Sequence, residues 1–301
     1  MSAHGDERLA RLAAGLRLLP DKPEETAAST LAALRHAAAG APLSAERALD
    51  ATRPALDAAM QQRLDALIER RLAGEPLAHL TGRQSFLGLE LLAGPAALVP
   101  RRETELLGRA AVALAKELTA ASAAPIVVVD ACTGSGNLAL AVAAAVPAAR
   151  VFGGDLDAAA VDLARRNAMW LGLADRVEFR HGDLLAPFDA PEFRGGVDLL
   201  LCNPPYISSA KVEQMDAEIA AHEPRLAFDG GPLGVGLLMR LLQEAPRYLG
   251  AGGWLGFEVG LGQGPAMARR LRASAYADVR ELADTSGATR ALLARRGKEG
   301  E

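Results

Sequence analysis

Three short stretches of this 301-residue chain carry residue types that do chemistry. "CTGSGN", Cys132 to Asn137, is a glycine turn between an apolar run and a helical pattern. "GGDLD", Gly153 to Asp157, closes the next apolar run on carboxylates, and "LLCNPPYIS", Leu200 to Ser208, ends a further run on Asn, two prolines and Tyr. Glycine lets the backbone turn tightly and approach a ligand, and the helix N-terminus behind it offers free N–H groups. Asp155 lies nineteen residues beyond Gly136, at a strand end where a carboxylate accepts hydrogen bonds from ribose hydroxyls. The two features together point to a nucleoside-bearing cofactor.

Which nucleoside is narrowed by what the turn lacks. It reads C-T-G-S-G-N and not G-x-G-x-x-G, which disfavours a dinucleotide, and the chain has no G-x-x-x-x-G-K-[ST] phosphate loop. S-adenosylmethionine needs a close backbone and a few polar partners but no phosphate cradle. Cys132, Thr133, Gly134, Ser135 and Gly136 then form its loop, and Asp155 takes the ribose. Asp157 reads as the N-cap of the following helix. "RHGDL" supplies a third loop, in which Leu184 packs on adenine and Asp183 either accepts from the adenine amino group or caps its own loop. No metal is expected: His4, His36, His79, His181 and His222 are scattered, and neither they nor Cys132 and Cys202 have ligand spacing.

These stretches need elements to hold them. Residues 1–83 show helical patterns, as in Leu56, Met60, Leu64 and Leu67 with Gly74 as a stop, and a helix from Pro23 with acidic residues in its first turn and a stop at Gly40. Residues 84–104 read as a linking hairpin around a Gly-Pro turn. From 105 to 297 strand and helix patterns alternate, which implies an α/β domain with a parallel-rich sheet and helices on both faces, leaving 298–301 as a tail. A composition with 50% hydrophobic residues supplies an ample core, and a formal charge of −4 argues against direct nucleic-acid binding over a broad surface. Two cysteines, no signal-peptide pattern in "MSAHGDERLARLAAG" and no long apolar run lead to the expectation of a cytoplasmic protein with no membrane span.

"DACTGSGNLALA", "GDLD", "RRNA", "HGDL", "CNPPYIS", "HEPRLAFDGG" and "FEVGLGQG" occur in this order, with "GEPLAHLTGRQSFLGLELL" and "VPRRETELL" upstream. From about residue 70 to 296 the chain resembles the protein-(glutamine-N5) methyltransferases of the HemK/PrmC type. The resemblance implies a class I methyltransferase, a Rossmann-like, seven-stranded, mostly parallel sheet behind a small N-terminal helical domain, which composition leaves as either a stabilising appendage or a substrate-recognition module. It also implies methylation of a protein of the translation apparatus, a release factor or a ribosomal protein; a monomer is expected. Carried onto this chain, the family motif makes Asn203, Pro204, Pro205 and Tyr206 the acceptor site, with Asn203 also touching the cofactor.

Physical chemistry supports that assignment. An amide nitrogen is a poor nucleophile because its lone pair is delocalised, so a site must hold and aim it. The Asn203 side-chain oxygen and the Pro204 carbonyl offer two acceptors for its two N–H protons, while Tyr206 offers a flat surface to the amide plane. The prolines stiffen the loop. Competing readings are N-methylation of an exocyclic base amine or of a small molecule, and a non-catalytic scaffold. Only 4% aromatic residues and an intact motif argue against the RNA and scaffold readings. Cys132 stands where the family often has Gly, and Cys132 and Cys202 are expected as small buried residues ending adjacent strands.

Overall fold

A computed structural model describes residues 3–19, 21–213, 222–274 and 276–297; the tail 298–301 lies outside them. Five helices come first: α1 (Ala3–Gly15), α2 (Ala27–Ala38), α3 (Ala45–Asp50), α4 (Ala58–Leu72) and α5 (Leu77–Thr81). Of the face read on α4, Leu64 is buried and Met60 and Leu67 are half-buried, while Leu56 precedes the N-cap Asp57; the inward face is Leu64 and Ile68, in one core with Leu12, Leu31 and Leu34. Gly74 follows the helix end at φ +96. The second helix starts later than Pro23 suggests. Thr26 is its N-cap, accepting from Ser29 N at 3.2 Å, and Glu25 precedes the first turn because it is drawn into a buried ion pair with Arg71 of α4, 2.9 Å away.

The hairpin is formed by β1 (Arg83–Phe86) and β2 (Leu89–Leu92), but it turns at Leu87 and Gly88, both at positive φ, and not at the Gly94-Pro95 signal, which lies beyond β2. It is tied to the rest by α8 (Ala158–Trp170): Asn167 accepts from Leu92 N at 2.7 Å, and the Trp170 indole donates to Glu90 O at 2.9 Å. The sheet comprises β3 (Val127–Ala131), β4 (Arg150–Asp155), β5 (Val177–His181), β6 (Val197–Cys202), β7 (Leu249–Glu258), β8 (Tyr276–Ala283) and β9 (Thr289–Arg296). Its seven strands run in the order β5-β4-β3-β6-β7-β9-β8, parallel from β5 to β7, with β9 antiparallel to both neighbours.

"VVVDA" and "VDLLLC" are near-continuous apolar runs because both faces of the sheet are covered. Leu199 and Leu201 enter the core under α6 (Thr104–Ala121), α7 (Asn137–Ala145) and α8. Leu200 enters the opposite core under α10 (Gly236–Tyr248) and α11 (Gly264–Arg272); a short α9 (Ser209–Val212) lies between β6 and α10. The chain winds outward in opposite directions from β3 and β6, which are neighbours. Their carboxyl ends form the topological switch point where open α/β sheets bind ligands. The Cα register pairs Ala131 with Cys202, so the glycine turn and the Asn-Pro-Pro-Tyr stretch emerge side by side. Among the described residues no helix is long and apolar enough to cross a membrane.

Candidate active site

The glycine turn is wound by three residues in the left-handed region, Cys132 at φ +56, Gly134 at +54 and Gly136 at +83. Cys132 therefore holds a conformation that favours glycine, at a cost of about 1–3 kcal/mol met by the surrounding structure. Thr133 N donates to Gly154 O at 2.9 Å and its hydroxyl donates to Asp130 at 2.6 Å, and Asp130 also accepts from Ala139 N in the first turn of α7. An added Cβ on Gly134 would meet nothing nearer than Ala97 Cβ at 4.0 Å, so this residue borders open space.

That space is a cavity of about 390 Å³, within the size range of small-molecule sites. Cys132 to Ser135, Asp155, Leu156, Asp183, Leu184 and Asn203 all line it, whereas Gly136 packs behind the turn against Phe179. Asp155 accepts from Gly134 N at 2.8 Å and from Asp157 N at 3.0 Å, and burial raises its pKa against those hydrogen bonds. Asp157 caps α8 by accepting from Ala159 N at 2.8 Å. Asp183 is half exposed and ion-paired with Arg240 of α10 at 3.0 Å.

A second, smaller cavity of about 90 Å³ adjoins the first, and Leu98, Arg101, Asn203, Pro205 and Ala227 border both. Pro204, Tyr206, Glu103 and Asp21 line only the smaller one. It is large enough for the amide end of one side chain. Asn203 Nδ2 donates to Thr104 Oγ1 at 3.2 Å, and Tyr206 OH donates to Glu258 at 2.7 Å. The backbone after Pro205 is clamped by the glycine-rich segment that follows α9. Gly230 N donates to Ile207 O at 2.8 Å, and Gln263 Nε2 donates to both Tyr206 O (3.1 Å) and Gly234 O (3.2 Å). Any side chain at Gly234 would collide with Tyr206 O, 2.3 Å from the Cβ position.

Residues 43–82 match the PrmC N-terminal domain family and residues 106–241 the Methyltransferase small domain family. The chain is 39% identical over 257 residues to the release factor glutamine methyltransferase of Moorella thermoacetica, covering 82% of this chain and 87% of that one. It is 35% identical to the enzyme of the same name from Geobacter sulfurreducens, over 77% of each chain. This chain belongs to the release factor glutamine methyltransferase family. Among solved structures, the catalytic domain of human METTL16 in complex with an RNA hairpin superposes with a TM-score of 0.55 at 15% identity, covering 72% of this chain and 78% of that one. That likeness is one of fold, the class I methyltransferase α/β sheet.

For this release factor glutamine methyltransferase family member, several site residues escaped the sequence reading. Arg101 and Glu223 form a buried pair at 2.7 Å, with Glu223 also accepting from Val99 N at 3.0 Å. Thr104, Glu258, Gln263 and Arg240 hold the named residues in place. A lone acid closing the apolar strand "GWLGFE" was the available signal for Glu258.

Burial pushes the Asp130 carboxyl up to about 7, against its hydrogen bonds from Thr133 and Ala139 and with the nearby Asp155 charge adding to the rise. Burial likewise pushes Glu258 up to about 7; the hydrogen bond from Tyr206, the neighbouring Thr104 hydroxyl and the Arg290 charge oppose this, and Glu103 reinforces it. In the unfolded chain such groups titrate near about 4. The folded state therefore holds these protons more tightly. Stability falls as pH rises from about 4 toward about 7, by up to about 1.4 kcal/mol per pH unit for each group, and levels off above. Asp130→Asn should flatten part of that slope in urea unfolding between about pH 5 and about pH 8. Parallel curves for the two proteins would contradict it.

Proposed function

We propose that this protein transfers the methyl group of S-adenosylmethionine to the side-chain amide nitrogen of a glutamine in a peptide-chain release factor. The observation that carries the reading is the position of Asn203 in the wall shared by the two cavities, with its amide nitrogen on Thr104 and its oxygen left to accept. The names of the relatives from Moorella and Geobacter support the acceptor's identity.

The larger cavity suits the donor. Gly134 leaves room for the methionine end, Asp155 offers a carboxylate to the ribose, and Leu156 and Leu184 give the base apolar walls. Asp183, held by Arg240, keeps lone pairs for the adenine amino group. When bound, S-adenosylmethionine supplies an electrophilic methyl group.

The residues of this chain do the rest. Asn203 Oδ1 and the Pro204 carbonyl accept the two amide protons, which aims the nitrogen lone pair across the shared wall and favours its pyramidalisation. Tyr206 supports the amide plane, its ring fixed by Glu258. No strong base is needed, because the nitrogen becomes acidic as it gains the methyl group and loses its proton to water or a neighbouring acceptor.

The test is to incubate the protein with labelled S-adenosylmethionine and, in parallel, purified release factors, ribosomal proteins and RNA, then map the methyl group by peptide and nucleoside mass spectrometry. A methylated glutamine in a release factor is the expected result. Label on a ribosomal protein would move the acceptor, and label on RNA alone would overturn the reading.

A further inference from the structure

A methylated amide nitrogen has to lose a proton, and the walls of the smaller cavity decide where it goes. As the carbon–sulfur bond breaks and the carbon–nitrogen bond forms, the acceptor's nitrogen carries a positive charge and two protons. Asn203 Oδ1 and the Pro204 carbonyl hold those protons by hydrogen bonds, but a neutral amide oxygen is too weak a base to take one. A carboxylate is strong enough.

Among the described residues, two carboxylates line the smaller cavity, Asp21 and Glu103. Glu103 is the N-cap residue of α6, yet its side chain makes no capping hydrogen bond, although an acidic N-cap usually caps its own helix. It is turned to Arg290 and Tyr206 instead. Arg290 of β9 pairs with Oε2, while Oε1 lies 3.4 Å from Tyr206 OH. A phenol has one proton to donate, and above about pH 7, where Glu258 is ionised, that proton lies on the shorter 2.7 Å bond to Glu258. Glu103 Oε1 thus keeps its lone pairs at the edge of the ring on which the acceptor amide packs. Asp21 is turned to the Arg101 guanidinium, 3.4 Å from its Nε. Thr104, which follows Glu103, meets Asn203 Nδ2 at 3.2 Å, so the turn that opens α6 reaches both the Asn and the Tyr end of the acceptor site.

We propose that Glu103 accepts the proton released by methyl transfer. This rests on the acceptor reading given under the proposed function and names the group that completes its step. One N–H bond of the methylated nitrogen breaks, its electron pair stays on the nitrogen, and an O–H bond forms at Glu103 Oε1. The product is a neutral N-methyl amide. In so small a cavity a wall carboxylate reaches the amide directly or through one water, and a side chain 28% exposed can then pass the proton to solvent. Prompt loss of the proton also prevents the methyl group from returning to sulfur.

Glu103→Gln keeps the shape and loses the base. Its kcat on the release factor should fall about 10²-fold, the lower end of what a positioned base contributes. KM for the release factor and the calorimetric dissociation constant of S-adenosylhomocysteine should stay within about threefold, because the lost interaction belongs to the chemical step.

Chemical rescue separates this role from a merely structural one. Glu103→Ala, made together with Arg290→Met so that no buried guanidinium is stranded, leaves room for an added carboxylate. Acetate should then raise the rate at least about tenfold, and more than fluoroacetate, which is nearly the same size but less basic. An anion that only filled the gap would act alike in both forms. A kcat within about threefold of normal in Glu103→Gln would overturn the proposal, as would rescue that does not favour acetate or an Asp21→Asn loss larger than that of Glu103→Gln. If another acceptor takes the label and the release factor does not, the proposed function falls, while the same variants read on that acceptor still judge Glu103. Transfer to no acceptor at all would overturn both.

Discussion

The Asn203→Ala protein is expected to bind S-adenosylmethionine within about threefold of the unmodified affinity and to lose about 10²- to 10³-fold in kcat, the magnitude found when one preorganised polar group is removed from a transition state. Asn203 borders both cavities, so two outcomes separate its possible roles. If its main work were to hold the donor, the variant would show a raised dissociation constant and a nearly normal rate at saturation. If it aims the acceptor, the loss sits in the chemical step, because the Pro204 carbonyl alone cannot fix a nitrogen that is free to rotate about the second N–H. Asn203→Gln refines the test. It keeps the amide but moves it by one methylene, and a displacement of about 1 Å costs about a hundredfold. Single-turnover methyl transfer together with calorimetric titration of the donor separates the two roles, and a full rate in Asn203→Ala would remove Asn203 from the mechanism.

How much of this was readable in the sequence depends on the range of the contact. The strands of the parallel core announce themselves because burial on both faces demands unbroken apolar runs, and the glycine turn and "CNPPYIS" stand at the ends of two of them. The capping role of Asp157 was legible for the same reason: it is settled within two residues, by the Ala159 N–H. What was not legible is long in sequence separation. Thr104 meets Asn203 from 99 residues away and Arg101 meets Glu223 from 122, contacts between segments that only the folded domain brings together. Asp183 illustrates the limit: its loop was found, but its partner Arg240 lies on a helix 57 residues on, and no local pattern names it. The start of α2 moved for a tertiary reason too. Pro23 and two acids make a good local helix start, yet Glu25 is worth more against buried Arg71 than in a first turn. The placement of β9 between β7 and β8 reflects strand pairing over the whole domain, and periodicity alone is silent on it.

Glu223→Ala should be the most damaging single substitution for stability. The carboxylate is fully buried, Arg101 is nearly so, and Asp21 is a second, more distant partner for that arginine at 3.4 Å. Removing Glu223 takes away the nearest carboxylate of the buried guanidinium, leaving the more distant Asp21, and also orphans Val99 N, which donates to Glu223 at 3.0 Å. Breaking a buried pair from one side costs about 3–5 kcal/mol, far more than the pair is worth against an apolar replacement. The loss has a functional consequence, because Glu223 pins the start of the segment that carries Ala227, which borders both cavities, and Gly230, which packs on Pro205. Urea unfolding should show the midpoint fall sharply, and donor affinity should fall with it. The double variant Arg101→Met, Glu223→Leu decides whether the cause is the stranded charge. With neither charge present, most of the stability should return, short of the cost of Val99 N, about 1–3 kcal/mol. A double variant as unstable as Glu223→Ala would mean that the pair holds the segment by geometry that no apolar contact can replace. Methyl transfer should stay low in the double variant even as stability recovers, since Arg101 also walls both cavities and its charge is then gone from the donor's side.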